Sequence, residues 1–182
     1  MTRADHPSGT DRIAEAIGRR EADLVVNIQG DEPLLDPALI DRLVTRMGED
    51  EAWDMGTAAA PITNEADRRN ASVVKVVWGA HHQALYFSRS LIPFVRDADE
   101  SGTKGLYWRH LGLYAYRTAF LRELVATPPC LLEQAEKLEQ LRALHLGARM
   151  VVIETAETGI GVDTPADVQR VETLIREMEK HG

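Results

Sequence analysis

Hydrophobic positions along the chain follow two periods, one typical of helices and one typical of short buried strands. Helical spacing predicts helices over 8–17, 37–47, 118–126, 131–146 and 168–175. Short apolar runs predict strands over 24–28, 55–62, 73–77, 84–88, 111–116 and 149–155. The runs 73–77 and 84–88 flank a turn that contains glycine, which is typical of a hairpin. Alternating strands and helices predict a layered α/β fold with a mostly parallel sheet.

The longest predicted helix, 131–146, carries both apolar and acidic side chains. Its leucines are predicted to form the buried stripe, namely Leu131, Leu132, Leu138, Leu141 and Leu144. Its acidic residues are expected to form a solvated face. Glu136 and Glu139 are three positions apart, so both could face one cleft.

Candidate chemistry follows the ends of the predicted strands, where α/β sheets bind their ligands. Asp31 follows the strand 24–28 within Gln-Gly-Asp-Glu-Pro, and Asp163 precedes the last predicted helix. Carboxylates from two distant segments that converge at a sheet edge suit Mg²⁺ with phosphate ligands. The spacing alone leaves a plain turn residue open for Asp31 and a helix cap open for Asp163.

Small residues open the first helix, where Ser8, Gly9 and Thr10 either cap it or let a nucleotide approach its backbone N–H groups. Cationic and imidazole side chains at strand ends, including Arg89 and His110, suit a ligand carboxylate. Surface charges at strand ends remain the alternative interpretation. The histidines lack the spacing of zinc ligands.

Composition limits the class of protein. The net charge is −8 and the pI is about 5.3, which argues against a nucleic-acid partner. Cys130 is the sole cysteine, so no intrachain disulfide can form and a reducing compartment is expected. No run approaches the roughly 20 apolar residues that span a bilayer. The sequence therefore predicts a cytoplasmic protein without membrane insertion.

Seven segments, read in order, resemble the CMP-Kdo synthetases, also called 3-deoxy-manno-octulosonate cytidylyltransferases (Kdo is 3-deoxy-D-manno-octulosonate). The matching segments are 1–12, 26–33, 74–77, 84–93, 109–117, 138–142 and 161–165. Together they span essentially the whole chain. The Gln-Gly-Asp-Glu-Pro run alone would indicate only the wider group of sugar cytidylyltransferases.

The resemblance implies a Rossmann-like nucleotidyltransferase fold, similar to the glycosyltransferase-A fold, with residues 1–182 as a single domain that includes a small hairpin subdomain. Residues 73–117 would contribute the sugar-binding and dimerisation part. The implied reaction transfers CMP from CTP to Kdo, releases pyrophosphate and serves lipopolysaccharide biosynthesis. The implied partners are CTP, Kdo and a second copy of the chain in a homodimer.

The resemblance also assigns residues to the site. Asp31 and Asp163 would act in catalysis and hold Mg²⁺ as the cofactor. The nucleotide would contact Ser8, Gly9, Thr10 and Gln29. The acid sugar would contact Arg89, His110, Tyr114, Glu139 and Gln140.

One departure from the family pattern concerns its opening Pro-Ala-Arg-type loop, which has no counterpart in this sequence. The resemblance therefore implies that the first strand and the main cationic clamp on the triphosphate are missing, and that this chain has weak activity or none. Two alternatives stay open: a cytidylyltransferase for 8-amino-Kdo or a sialic acid, and a non-catalytic remnant that dimerises. The retained Asp31 and Asp163 favour an enzyme over a remnant.

Overall fold

The computed structural model describes residues 1–6, 8–30, 34–97, 105–156, 168–169, 171–173 and 175–176. Its elements follow in the order α1 (Gly9–Ile17), β1 (Leu24–Ile28), α2 (Pro37–Gly48), β2 (Met55–Pro61), α3 (Glu65–Arg69), β3 (Lys75–Trp78), β4 (Ala84–Ser88), β5 (Trp108–Arg117), α4 (Thr118–Ala126), α5 (Leu131–Glu136), α6 (Gln140–His145) and β6 (Met150–Glu154). A single 3₁₀ turn, Ala80–His82, joins β3 to β4. The described residues between 168 and 176 are also helical.

Local sequence signals account for the ends of the first two helices. The Ser8 hydroxyl accepts a hydrogen bond from the Asp11 backbone N–H and so caps α1. Gly18 ends α1 with a positive φ of 53°, which glycine adopts without steric cost. Asp36 caps α2, and Pro37 occupies its first turn, where a missing N–H costs nothing. The predicted boundaries of α1 and α2 are confirmed to within a residue or two.

All six named strands form one sheet in the order β4-β3-β5-β2-β6, with β1 pairing along β5. The pairs β1–β5, β2–β5, β3–β5 and β3–β4 are antiparallel, and β2–β6 is parallel. The prediction of a mostly parallel sheet is therefore wrong for the described strands. Between β3 and β5 the described residues form a 3₁₀ turn and strand β4 but no α-helix, and without a crossover helix the chain can reverse direction. The predicted hairpin is confirmed as β3–β4.

Two apolar clusters pack against β5, one on each of its faces. Leu111, Leu113 and Ala115 join the cluster that includes α2, whereas Tyr114 and Tyr116 join the cluster that includes α4. Successive side chains of a strand point to opposite faces, so this division places one cluster on each side of the sheet. The layered α/β arrangement predicted from the sequence is confirmed.

The predicted helix over 131–146 is two helices, α5 and α6, separated at Lys137. Lys137 adopts a left-handed conformation with φ of 55°, which ends α5. Arg89 donates to the carbonyl oxygens of Glu136 at 2.7 Å and Lys137 at 3.5 Å, taking acceptors that a continuous helix would use itself. A contact from a distant strand end therefore stabilises a break that local periodicity does not reveal.

The predicted leucine stripe is wrong at its first turn because of this break. Leu131 and Leu132 are 83 % and 46 % exposed, whereas Leu138 and Leu141 are buried. The acidic face is also different from the prediction, because Glu133 is buried. In the described part of the chain, no helix is long and apolar enough to cross a membrane.

Candidate active site

A cleft of about 360 Å³ opens beside the cluster that contains Tyr114 and Tyr116. Its walls come from the start of α1, the end of β1, the face of β5, the end of β4 and the junction of α5 with α6. The cleft is lined by eight of the residues that the resemblance assigned to the nucleotide and the sugar, which are Gly9, Thr10, Gln29, Arg89, His110, Tyr114, Glu139 and Gln140.

Of the nine residues assigned to the nucleotide and the sugar, only Ser8 lies outside the cleft. The Ser8 hydroxyl is engaged within its own turn, where it donates to the Asp11 carboxylate at 2.6 Å and accepts from the Asp11 backbone N–H at 3.2 Å. Ser8 therefore shapes the start of α1 and does not line the cleft.

Strand β5 supplies one wall of the cleft by simple alternation. His110, Gly112, Tyr114 and Tyr116 line the cleft, and the residues between them face the opposite core. The sequence assigned only two of these four to the site. The period of the predicted strand was the signal that could have identified Gly112 and Tyr116 as well.

Gly112 makes room for the Gln29 side chain at the end of β1. A Cβ atom at position 112 would lie 2.7 Å from Oε1 and 2.9 Å from Cδ of Gln29. Contacts this short do not occur in folded proteins, so any other residue would displace the Gln29 amide. The absence of a side chain at 112 therefore sets where Gln29 lies in the cleft.

The start of α1 presents backbone N–H groups to the cleft. The N–H groups of Asp11 and Arg12 are satisfied by the Ser8 hydroxyl and the Ser8 carbonyl. A helix leaves its first N–H groups without intrahelical partners, and among the described residues no group accepts from those of Gly9 and Thr10. A Cβ atom added at Gly9 would meet nothing within 4 Å, so the backbone there is open to close approach.

The Thr10 side chain connects α1 to the far wall of the cleft. Its hydroxyl donates to Oε2 of Glu139 at 2.5 Å. Thr10 is 6 % exposed and Tyr116 is 2 % exposed. Burial raises the pKa of Tyr116, with the nearby Glu139 charge adding to the rise, so the phenol keeps its proton at neutral pH.

His110 is held neutral in this wall. Burial, together with the charge of Arg109, lowers the pKa of His110 to about 3. Its Nε2 lies 3.0 Å from the Thr57 hydroxyl, which itself donates to the Leu113 carbonyl at 2.8 Å. Because that hydroxyl proton is already used, Nε2–H is the donor to Thr57, and Nδ1 remains a hydrogen-bond acceptor.

Glu136 fixes the backbone beside Arg89. Its carboxylate accepts from the Ser88 hydroxyl at 2.6 Å and from the Arg89 backbone N–H at 2.9 Å. The Arg89 guanidinium donates in return to the Glu136 carbonyl at 2.7 Å and to the Ala71 carbonyl at 3.0 Å. These bonds hold the guanidinium at the cleft while N–H groups on both terminal nitrogens stay available.

Lys75 also stabilises the end of β4, next to Arg89. Its ammonium donates to the carbonyl oxygens of Asn70 at 2.9 Å, Val73 at 2.8 Å and Arg89 at 2.7 Å. The side chain is fully buried, and this burial lowers the pKa of Lys75, against the opposing effect of Glu136. The three carbonyls are the partners that make a buried ammonium tolerable.

A buried ion pair joins α5 to α6 and so positions the last cleft residues. Arg142 donates to both carboxylate oxygens of Glu133, at 2.9 and 2.8 Å. It also donates to the carbonyls of Leu124 at 3.3 Å and Thr127 at 3.0 Å. Since α6 begins at Gln140, this fork fixes the element on which that cleft residue sits.

The two predicted metal and catalytic residues, Asp31 and Asp163, lie outside the described residues, and their assignment stays a prediction. Among the residues that the structure does describe, no group of three or more His, Cys, Asp and Glu side chains could hold a metal ion. Gln29, two positions before Asp31 in the sequence, lines the cleft.

Comparison with known proteins identifies the family. Residues 1–151 match the cytidylyltransferase family model. The 3-deoxy-manno-octulosonate cytidylyltransferase of Geobacter sulfurreducens is 50 % identical over 178 residues, which cover 94 % of this chain and 71 % of the relative. That of Bdellovibrio bacteriovorus is 48 % identical over 176 residues, covering 96 % of this chain and 71 % of the relative.

Solved structures agree in fold. A CMP:2-keto-3-deoxy-manno-octonic acid synthetase complexed with CTP has a TM-score of 0.90 and 41 % identity, covering 98 % of this chain and 72 % of that one. A 2-C-methyl-D-erythritol 4-phosphate cytidylyltransferase from Thermus thermophilus shares the fold, with a TM-score of 0.56, 14 % identity and coverage of 92 % of this chain and 69 % of that one. The Rossmann-like nucleotidyltransferase fold is confirmed, with the strand directions corrected as above. The chain belongs to the cytidylyltransferase family, among the 3-deoxy-manno-octulosonate cytidylyltransferases.

Proposed function

We propose that this chain transfers CMP from CTP to Kdo, forming CMP-Kdo and pyrophosphate. The observation that carries the proposal is the cleft itself. One wall offers the first backbone N–H groups of α1 and the Gln29 amide, which suit a nucleotide. The other offers Arg89 and the acceptor of neutral His110, which suit an acidic sugar.

In the proposed reaction, the anomeric oxygen of Kdo forms a bond to the α-phosphorus of CTP. The bond from that phosphorus to the bridging oxygen of the β-phosphate breaks, pyrophosphate leaves, and the hydroxyl proton passes to solvent. Such a displacement depends mainly on positioning and charge neutralisation. Arg89 would hold the sugar carboxylate. His110, neutral at working pH, would accept at Nδ1 a hydrogen bond from a sugar hydroxyl.

The proposed cofactor is Mg²⁺, held by Asp31 and Asp163, because carboxylate oxygens are the protein ligands that this ion prefers. Bound Mg²⁺ would neutralise charge on the triphosphate. Calorimetric titration with CTP tests this assignment. Heat of binding that depends on Mg²⁺ and is lost in Asp163→Asn supports it, and unchanged Mg²⁺-dependent binding in that variant contradicts it.

We also propose a homodimer in the cytoplasm that serves lipopolysaccharide biosynthesis. The sole cysteine, Cys130, is consistent with a reducing compartment. The dimer is supported by Leu85 and Phe94, which are 61 % and 84 % exposed on and just after the terminal strand β4. Sedimentation of the wild type and of Phe94→Asp tests this interface, and a monomeric wild type would contradict it.

Pyrophosphate release with CTP, Kdo and Mg²⁺ tests the reaction, and ³¹P spectroscopy identifies the CMP product. Arg89→Met should raise KM for Kdo at least about tenfold, because it removes charge-assisted hydrogen bonds to the sugar. The matched control Arg122→Met changes an exposed arginine on α4 and should behave as the wild type. Release with a sialic acid or 8-amino-Kdo but not with Kdo would reassign the sugar, and no turnover with any of the three would overturn the proposal.

A further inference from the structure

The Thr10 side chain contacts a residue assigned to the sugar, although Thr10 itself was assigned to the nucleotide. Thr10 opens α1, on the wall assigned to the nucleotide, yet its side chain reaches Glu139, on the wall assigned to the sugar. The two residues are 129 positions apart in the chain. A bond of 2.5 Å between a hydroxyl and a carboxylate is at the short, strong end of its class.

The hydroxyl proton of Thr10 is used within the protein. It goes to Oε2 of Glu139, so the hydroxyl has no proton left to donate to a ligand. With 6 % of the residue exposed, little of the hydroxyl remains for a ligand. The Thr10 side chain therefore has little to offer a nucleotide.

The hydrogen bond from Thr10 restrains the Glu139 carboxylate. Its Oε2 is fixed by Thr10, and no other side chain among the described residues donates to its carboxylate. Oε1 is thus left as an acceptor within the cleft, and its direction is set by the bond at Oε2. A carboxylate without that bond would rotate between several side-chain conformers.

We infer that Thr10 is a positioning residue for the sugar side of the reaction, which orients Glu139 to accept hydrogen bonds from sugar hydroxyls. This inference rests on the proposed function and refines it. The resemblance assigned Thr10 to nucleotide binding. In this inference its side chain instead helps to orient the acid sugar.

The test compares KM for Kdo with KM for CTP in Thr10→Val, which removes the hydroxyl and keeps the branched shape. KM for Kdo should rise about tenfold, the equivalent of one charge-assisted hydrogen bond, while KM for CTP stays within about twofold. Thr10→Ser keeps the hydroxyl and should restore the wild-type KM for Kdo. Thr45→Val, on an exposed position of α2, is the matched control.

A double-mutant cycle with Glu139→Gln separates positioning from a general loss of structure. If Thr10 acts through Glu139, Thr10→Val should add little to the KM for Kdo of the Glu139→Gln variant. Additive effects, or a rise confined to KM for CTP, would overturn the inference while leaving the proposed function intact. A wild-type chain that turns over no acid sugar would overturn both.

Discussion

The fork between Arg142 and Glu133 offers the sharpest test of how the described structure is held together. The residues Arg142 and Glu133 are 5 % and 8 % exposed and share two hydrogen bonds. We expect Glu133→Gln to destabilise the protein strongly, because the amide compensates only one donor and leaves a buried guanidinium without its counter-charge. Breaking a buried pair by removing one partner costs about 3–5 kcal/mol.

This loss of stability should cause a large shift in the midpoint of urea unfolding. With a denaturant dependence of about 2 kcal/mol per molar, the unfolding midpoint should fall by about 1.5–2.5 M. Coincident circular dichroism and fluorescence transitions would justify a two-state treatment. The exposed pair of Glu65 with Arg69 is the matched control, and Glu65→Gln should leave the midpoint unchanged within error.

A second variant separates charge from shape at this fork. Replacing both partners, as in Glu133→Leu with Arg142→Met, should recover most of the lost stability, since apolar side chains of similar volume remove both buried charges. A midpoint for Glu133→Gln that matches the Glu65→Gln control would refute the idea that this pair anchors α5 to α6.

Three further predictions concern the cleft. The pKa of His110 is lowered to about 3 in the folded protein, so as the pH falls the unfolded chain binds a proton first. The free energy of unfolding should therefore decrease as the pH drops from about 6.5 towards 3, by up to about 1.4 kcal/mol per pH unit. Acid unfolding experiments should show that His110→Gln removes this dependence. Gly112→Ala should raise KM for CTP by displacing Gln29 and leave KM for Kdo nearly unchanged, and equal rises in both constants would contradict this. Lys75→Met should lower stability by about 1–3 kcal/mol and raise KM for Kdo, because it orphans carbonyls at the strand end that carries Arg89; a change in stability alone would limit Lys75 to a structural role.

The sequence predicted the elements of the fold better than their directions. Caps at Ser8 and Asp36 and the hairpin of β3 with β4 are local features, and the structure confirms the helix starts and the hairpin. The direction of β5 is a property of the whole sheet, and apolar runs do not encode whether a neighbouring strand is parallel. Alternation of strands with helices indicates parallel pairing only where a helix forms the crossover.

The break in the helix at Lys137 could not be predicted from local sequence either, because it depends on a contact from a distant part of the chain. Helical spacing continues through 131–146, and the contact that stabilises the break comes from Arg89, far away in the chain. The cleft residues were assigned through resemblance to a family. The alternation along β5 would have added Gly112 and Tyr116 to the site without any resemblance.

The two-sided use of β5 constrains how this enzyme can vary. Even-numbered positions from His110 to Tyr116 face the cleft, and odd-numbered positions from Leu111 to Ala115 fill the opposite core. An insertion or deletion of one residue there would exchange the two sets, burying polar groups and placing leucines in the cleft. The lining of the cleft along this strand can therefore be altered by exchanging side chains one at a time, whereas a change in length would disrupt the core and the cleft together.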